Sequence, residues 1–197
     1  TDGITWDLRT FPTTLSFSTG ISYVNNLFYA TNNTGSSSTA AASSTDGITW
    51  NLRTLPTIGA WSPVAYANNI YVSVSSGNAS TSAASSTDGI TWNLRTLPVS
   101  STWLRTPTYV NNLFVTTSYQ LTTTSSLFTS TDGITWNART LPGVFLWYNP
   151  IYANNIYVAV PASSTTTFAS STDGITWDTR TAPATSGWNS PCLLYTS

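Results

Sequence analysis

The sequence predicts an all-β fold built from tandem four-stranded antiparallel units, and three observations lead to this prediction. The hexamer Thr-Asp-Gly-Ile-Thr-Trp occurs five times in 197 residues, at spacings of 44, 42, 44 and 41 residues. A second motif, Tyr-(Val/Ala)-Asn-Asn-(Leu/Ile)-(Phe/Tyr), begins at Tyr23, Tyr66, Tyr109 and Tyr152, always 43 residues apart. β-Branched and aromatic residues dominate both motifs, and no helical 3.6-residue apolar period is present. The shared period indicates one structural unit copied in tandem.

The first hairpin of each unit is predicted at the Asn-Asn pair. Asn tolerates the left-handed backbone region better than most residues, so it suits a tight turn. After Asn68-Asn69, the segment 70–74 alternates aliphatic residues with Tyr71 and Ser73. This is the two-residue period of a half-buried strand.

The second hairpin is predicted at the Asp-Gly pair of each hexamer, because both positions of this favoured two-residue turn need a positive φ. Beyond Asp46-Gly47, we expect Ile48, Trp50 and Leu52 to share the apolar face of the next strand. Each unit then holds four strands, which is the size of a β-propeller blade. A β-solenoid is the alternative, although its coils are usually shorter and do not need two tight hairpins each.

The hexamer and the residue before it resemble the Asp-box, or bacterial neuraminidase repeat, of sialidase-like β-propellers. Ser44–Trp50 carries the pattern, and further copies with the leading Ser begin at Ser86, Ser130 and Ser171. The usual box has one residue between Asp and Gly, whereas here the two are adjacent, so this box is shortened. The resemblance extends to propeller modules of bacterial and phage surface proteins. It implies that each box forms the turn between the third and fourth strands of a blade, with its Trp packed between neighbouring sheets.

We therefore expect residues 1–191 to form a single all-β domain, a β-propeller of four-stranded antiparallel blades. It would hold four complete blades and a split or incomplete fifth, as a fragment of a five-bladed or larger propeller. The boxes with their following Arg-Thr-x-Pro segments occupy 1–12, 45–56, 87–98, 131–142 and 172–183. Residues 192–197, Cys-Leu-Leu-Tyr-Thr-Ser, can be encoded by the transposon mosaic end used in shotgun libraries, and we expect them to be a non-native, adapter-derived tail.

The composition excludes several kinds of chemistry. The chain has no Lys, Glu, His or Met, a single Cys, 7% charged residues and a net charge of -1. Without His there is no Ser-His-Asp or Cys-His catalysis and no His-ligated metal, and without Lys there is no P-loop lysine or Schiff base. Near-neutral charge without a basic run argues against binding to nucleic acid or anionic membranes. No apolar stretch approaches the roughly 18 residues of a membrane span. We expect no cofactor and no metal.

The resemblance to sialidases does not extend to their catalytic groups. The family implies three Arg on the substrate carboxylate, a Tyr nucleophile activated by Glu, and an Asp acid/base. This chain has no Glu, and five of its six Arg recur at the same repeat position, which a ring of blades would disperse. We predict that the chain is not an enzyme.

The repeated residues of the boxes are expected to be structural. Each box Asp would accept amides of its own turn rather than bind a ligand or metal, and each box Trp would lie in the core. Each repeat Arg would pair locally or cap backbone carbonyls, with anion recognition as the alternative. The box residues are Asp2, Asp46, Asp88, Asp132 and Asp173, together with Trp6, Trp50, Trp92, Trp136 and Trp177.

A second aromatic series marks the candidate ligand site. It lies between each repeat Pro and the next Tyr, in connections whose sequences differ between copies. In a propeller, such a connection leads from the outer strand of one blade to the inner strand of the next, where an exposed Trp can stack on a sugar ring. The alternative is that each Trp fills the gap between blades. The candidate ligand-binding residues are Trp61, Trp103, Trp147, Trp188, Arg105 and Tyr148.

These observations favour a non-catalytic propeller on the outside of a cell or virion, used for binding or adhesion, with glycans or another cell-surface ligand as partner. The first alternative is a purely structural repeat spacer of a larger surface or fibre protein. The second is a fragment of a sialidase-like glycoside hydrolase that lacks its catalytic residues. We expect no nucleic-acid partner and no membrane insertion. Self-association is expected through the incomplete closing blade, because its exposed strand edges invite pairing.

Overall fold

The computed structural model describes residues 4, 6–12, 21–32, 38–77, 80–102, 104–118 and 127–187. Within these residues the chain forms sixteen strands and no helix, so this part contains no helix that could cross a membrane. The strands form four separate four-stranded sheets. Each sheet takes its strands in chain order, and every strand pairs antiparallel with the next, as β1 to β4 do in the first sheet. These sheets are four propeller blades, as the repeat predicts.

The four blades follow the period of the sequence motifs. The first blade comprises β1 (Ile21–Val24), β2 (Leu27–Thr31), β3 (Ala40–Ser44) and β4 (Asn51–Thr54). The second comprises β5 (Ala65–Ala67), β6 (Ile70–Val74), β7 (Ser80–Ser86) and β8 (Asn93–Ser101). The third comprises β9 (Thr108–Val110), β10 (Leu113–Thr117), β11 (Leu127–Ser130) and β12 (Asn137–Arg139). The fourth comprises β13 (Ile151–Ala153), β14 (Ile156–Ala159), β15 (Ser164–Ser171) and β16 (Asp178–Gly187).

The Asn-Asn hairpins form as predicted. Both Asn residues of every pair are left-handed, with φ between 44° and 62°, which is the conformation that a two-residue turn of this twist requires. The Tyr that opens the motif donates a hydrogen bond to the second Asn of its own turn, as Tyr66 does to Asn69 at 3.3 Å. The left-handed residues are Asn25, Asn26, Asn68, Asn69, Asn111, Asn112, Asn154 and Asn155.

The box turns differ from the predicted two-residue hairpin. Gly47 has a φ of 71°, but Asp46 is not left-handed. The Asp46 carboxylate instead accepts hydrogen bonds from the backbone amides of Ile48 and Thr49, each at 2.8 Å. This extends the turn, so the fourth strand begins only at Asn51. The expected apolar face of Ile48, Trp50 and Leu52 is therefore wrong: Ile48 and Leu52 are about half exposed. The four boxes at 45–50, 87–92, 131–136 and 172–177 do lie between the third and fourth strands of their blades, as the resemblance implies.

The hydrophobic core lies between blades rather than within one. Three clusters of buried side chains join the first blade to the second, the second to the third, and the third to the fourth. Strand β6 shows the reason, since Tyr71 packs toward the first blade while Ile70, Val72 and Val74 pack toward the third. The sheet of the second blade is thus buried on both faces, because its second strand presents core side chains to both neighbouring blades.

The expectation that every box Trp lies in the core is wrong for Trp6. Trp92 and Trp136 are buried and Trp50 and Trp177 are half-buried, whereas Trp6 is 86% exposed. A box Trp packs against the preceding blade, as Trp92 does against Tyr29, and the described chain has no blade before Trp6. Residues 6–12 follow the position of the first box and would form the fourth strand of the incomplete blade, but they belong to no sheet in the described structure. The part of the incomplete fifth blade that would follow the fourth blade, at 188–191, lies outside the described residues.

Candidate functional site

Two of the predicted ligand-binding tryptophans are buried. Trp61 and Trp147 are 0% exposed and belong to the clusters that join consecutive blades. The Trp61 indole donates to the carbonyl of Thr57 at 3.2 Å, and Trp147 packs edge-on against Phe145, with ring centroids 5.6 Å apart. Because no ring face is open to solvent, the prediction that these two stack on a sugar is wrong. They fill the gap between blades.

Leu104, and not Trp103, is the third-blade equivalent of these tryptophans. Each of the three residues forms an isolated β-bridge with a residue beyond the second strand of its blade: the pairs are Trp61–Ser75, Leu104–Ser118 and Trp147–Pro161. Each also lies five positions before the Tyr of its Asn-Asn motif, and Leu104 is only 4% exposed. If the repeats are aligned on their Trp residues alone, the third repeat is displaced by one residue, so that Trp103 takes the place of Leu104. Trp103 and Trp188 themselves lie outside the described residues.

The structure brings the two remaining candidates together. Arg105 and Tyr148 occupy the same repeat position, directly after Leu104 and Trp147. The Arg105 guanidinium carbon lies 4.2 Å from the centroid of the Tyr148 ring, and Nε donates to the Trp147 carbonyl at 2.9 Å. Both side chains are half-buried. A guanidinium over an aromatic face is attracted by the ring quadrupole, so this pair is a stable cation–π contact.

The backbone beneath this pair is fixed by hydrogen bonds between the third and fourth blades. The Asn149 side-chain amide donates to the Thr106 carbonyl at 2.8 Å, while its oxygen accepts the Thr117 amide at 2.8 Å. Thr116 donates to the carbonyl of Arg105 at 2.6 Å. We call Arg105, Thr106, Tyr148 and Asn149 the connection surface. Because its backbone is held from both blades, a ligand could bind there with little loss of conformational entropy.

The box carboxylates are occupied by their own turns in all four described boxes. Hydrogen bonds from the amides of Thr49 and Ile48 and from the Ser44 hydroxyl lower the pKa of Asp46 to about 2. The corresponding groups lower the pKa of Asp88 and Asp173 to about 2. At Asp132 burial opposes this shift, but the same kinds of hydrogen bond outweigh it and the pKa is lowered. Asp2 lies outside the described residues.

Each repeat Arg of the four described blades binds a hydroxyl on the third strand of its own blade. Nε donates over 2.7–3.2 Å to a Ser or Thr ten residues earlier: the pairs are Arg53–Ser43, Arg95–Ser85, Arg139–Thr129 and Arg180–Ser170. An ion pair to a neighbouring Asp also forms where the residue after the box Trp is Asp, as in Arg180–Asp178 at 3.0 Å. The constant spacing of ten was the sequence signal for these pairs.

Three surface depressions each contain a repeat Arg, and the sequence did not predict them because most are lined by two different repeats. One of about 290 Å³ lies between the third and fourth blades and contains Arg139. Another of about 500 Å³ contains Arg53 beside Trp92 of the next blade, and one of about 130 Å³ contains Arg180. No group of three or more His, Cys, Asp or Glu side chains forms a metal site in the described part of the chain.

Comparison with known proteins identifies the fold. No protein-family model matches the sequence, and no curated protein sequence matches it significantly. Among solved structures, a catalytically inactive variant of virginiamycin B lyase from Staphylococcus aureus, in complex with quinupristin, is similar at 12% identity and a TM-score of 0.65, over 83% of this chain and 55% of the lyase. A glycoside hydrolase of family GH74 from Niastella koreensis is similar at 22% identity and a TM-score of 0.50, over 78% of this chain and 22% of the enzyme.

The chain thus spans about half the length of the lyase that it matches. At these identities the similarity concerns the fold and not the activity. Together with the four antiparallel four-stranded sheets, it establishes that this chain has a β-propeller fold.

Proposed function

We propose that this chain is part of a non-catalytic β-propeller module on the outside of a cell or virion, and that it binds a glycan at the connection surface. The observation that carries the proposal is the Arg105–Tyr148 stack, with its 4.2 Å separation. It lies in the connections between blades, where the repeats differ most, and on residues fixed by their neighbours. Ligand sites combine such a rigid frame with a few placed polar groups.

The chemistry of the connection surface suits a sugar. A sugar ring offers apolar C–H faces to an aromatic side chain and hydroxyl groups to donors such as guanidinium and amide. Tyr148 supplies the ring and Arg105 a charged donor beside it, while Asn149 fixes the backbone between them by its own hydrogen bonds. The equivalent residue of the second blade, Ser62, is buried, and its hydroxyl accepts the amide of Val74, so among the described blades the surface forms between the third and the fourth.

The state of the carboxylates supports the non-catalytic part of the proposal. A general acid near neutral pH needs a raised pKa. The box Asp residues are shifted the opposite way, since turn amides and a Ser hydroxyl lower the pKa of Asp46 to about 2. The repeat arginines are each tied to a third-strand hydroxyl of their own blade, as Arg95 is to Ser85 at 2.8 Å, rather than brought together on one substrate.

A structural spacer is the second candidate, and one observation favours it. The polar residues that recur in every repeat are satisfied within the fold: Asp46 by its turn, Arg53 by Ser43, and Asn25 by Tyr71 of the next blade at 2.9 Å. A repeat whose shared side chains serve only the fold suits a module selected for length and rigidity.

The experiment is a glycan array probed with the wild-type chain and with the variants Arg105→Gln and Tyr148→Ala. Arg95→Gln is the matched control, because Arg95 is a repeat Arg on the outer strand of the second blade and lies outside the connection surface. We expect at least tenfold weaker binding for both test variants and unchanged binding for the control, with all four proteins folded by circular dichroism.

Each other outcome decides against part of the proposal. Absence of binding to any glycan would favour the spacer, and normal binding by folded Arg105→Gln and Tyr148→Ala would show that the site is elsewhere. Bound glycans should also remain intact when incubated with the wild-type chain, as judged by mass spectrometry. Their cleavage would overturn the non-catalytic assignment.

A further inference from the structure

A second cleft with the features of a ligand site lies at the opposite end of the blades. The Asn-Asn and box turns share one end of each antiparallel sheet, and the connections between blades share the other. We call Asn112, Thr131, Asn137 and Arg139 of the third blade, with Asp173 and Ile175 of the fourth, the inter-blade cleft. Its volume of about 290 Å³ is close to the lower end of ligand pockets, about 300–1,000 Å³, which suits a single sugar residue.

The Arg139 side chain is fixed in this cleft by a hydrogen bond from its Nε atom. Its Nε donates to the Thr129 hydroxyl at 3.2 Å, and the side chain is half-buried. Within the described structure its two terminal NH2 groups make no hydrogen bond, so they can donate to a ligand. Because the Thr129 contact already restricts the Arg139 side chain, this side chain loses little further rotamer entropy when a ligand binds.

Asp173 contributes an acceptor on the facing blade. Its Oδ1 atom receives the Ile175 and Thr176 amides and the Ser171 hydroxyl, each at 2.8 Å. These contacts hold the carboxylate ionised, with its pKa at about 2, and they leave its other oxygen for a donor. Arg139 and Asp173 line the same cleft without forming an ion pair with each other.

The charges in the cleft cancel, which decides the class of ligand. A phosphate or sulfate would meet the Asp173 carboxylate, and a cation would meet Arg139. A neutral molecule with neighbouring hydroxyl groups can accept from the guanidinium and donate to the carboxylate at once. Ile175, 49% exposed at the rim, offers an apolar contact for C–H groups.

We infer that the inter-blade cleft binds one neutral sugar residue, with Arg139 as hydrogen-bond donor and Asp173 as acceptor. This site is separate from the connection surface and does not depend on it. The depression that contains Arg53 holds the corresponding box residue Ile90 but not the box Asp88, so the donor and acceptor of the inter-blade cleft are not both repeated there.

The test is saturation-transfer NMR and calorimetry with the methyl glycosides of glucose, galactose, mannose and N-acetylglucosamine as probes. For at least one of them we expect binding in the millimolar range, as a ligand of that size allows. Arg139→Gln should weaken binding at this site at least fivefold. Arg95→Gln is the matched control, because Arg95 makes the same Nε contact to a third-strand hydroxyl but lines none of the three depressions described above.

Arg105→Gln separates this proposal from the proposed function, because it removes the connection surface and leaves the inter-blade cleft intact. If none of the probes binds at 50 mM, the inference is wrong. It is also overturned if Arg139→Gln and Arg95→Gln behave alike, or if binding is lost in Arg105→Gln alone. Persistence of binding in Arg105→Gln with loss in Arg139→Gln supports the inter-blade cleft, whatever the outcome of the glycan array.

Discussion

Gly133 shows how one residue of the box serves both a turn and a junction between blades. Its φ is +70°, where residues with a Cβ are strained. A Cβ at this position would also lie 2.7 Å from Cγ2 of Val72 and 3.1 Å from Cγ2 of Ile70, both on the preceding blade. The box of the third blade thus approaches the second blade as closely as a glycine permits.

Gly133→Ala is expected to destabilise the chain more than Gly47→Ala. Both substitutions carry the cost of a left-handed residue with a Cβ, about 1–2 kcal/mol. Gly47 has the same conformation, with a φ of +71°, but its nearest neighbour would be Phe28 at an ordinary 3.6 Å. The additional loss at Gly133 therefore measures the steric clash with Val72. Equal losses in urea unfolding would show that the junction adapts freely.

Single residues also mark where sequence reasoning succeeded and failed. The choice of candidate ligand-binding side chains depended on how the connections of the repeats are aligned, and alignment on Trp gives a different residue in the third repeat from alignment on the Asn-Asn motif. Counting five positions back from Tyr109 gives Leu104 and not Trp103. The burial of Trp61 could not be read from its neighbours in the sequence, because its core cluster includes Tyr29 and Ala41, which lie on strands of the first blade.

At the scale of the element, the two hairpins of a blade are stabilised differently. The Asn-Asn turn depends on backbone conformation, with both residues left-handed. The box depends on a side chain, since Asp46 accepts two amides and a hydroxyl. The sequence predicted the first turn correctly because the pair itself specifies the conformation. The prediction for the box turn was wrong because Asp-Gly is also a signal for a two-residue hairpin. The Ser44 hydroxyl, which bonds to Asp46, is the feature that distinguishes the longer turn.

Stability is expected to fall in acid as the box carboxylates become protonated. Their pKa is lowered in the folded chain, to about 2 for Asp46, from 3.8. A group with a lowered folded pKa stabilises fully above the unfolded pKa, and this contribution is lost as the pH falls through the folded value. The melting temperature should therefore be steady down to about pH 4 and then drop toward pH 2.

Asp46→Asn provides the control for this pH dependence. The amide oxygen of Asn can still accept the turn amides, but the side chain does not titrate between pH 5 and pH 2. We expect the variant to be less stable near neutral pH and to lose less stability between pH 4 and pH 2 than the wild-type chain. A wild-type melting temperature that is constant from pH 5 to pH 2 would contradict the role assigned to the boxes.

At the scale of the whole molecule, stability depends on junctions between neighbours. The second and third blades take part in two core clusters each, whereas the first and fourth take part in one. Among the described residues no cluster joins the fourth blade to the first. Stacked repeats of this kind gain stability from each intrinsic unit and from each interface with a neighbour.

Hydrogen exchange should follow this arrangement. Amides of the second strands in the middle blades, β6 and β10, are expected to exchange more slowly than those of β2 and β14, because opening an end blade disrupts one junction and opening a middle blade disrupts two. Mass spectrometry of exchange at the peptide level measures the difference. Equal protection of all four blades would indicate that the first and fourth blades are covered as fully as the middle ones.

The uniform junctions also bear on how such a gene changes length. Ile70 and Val72 face the third blade at the same repeat positions from which Leu113 and Val115 face the fourth. One repeat of coding sequence therefore specifies both faces of a blade, the one that packs against the preceding blade and the one that packs against the next. Unequal recombination between copies inserts or deletes a unit whose two faces already fit its new neighbours. Blade number then becomes a character that selection can alter in single genetic steps.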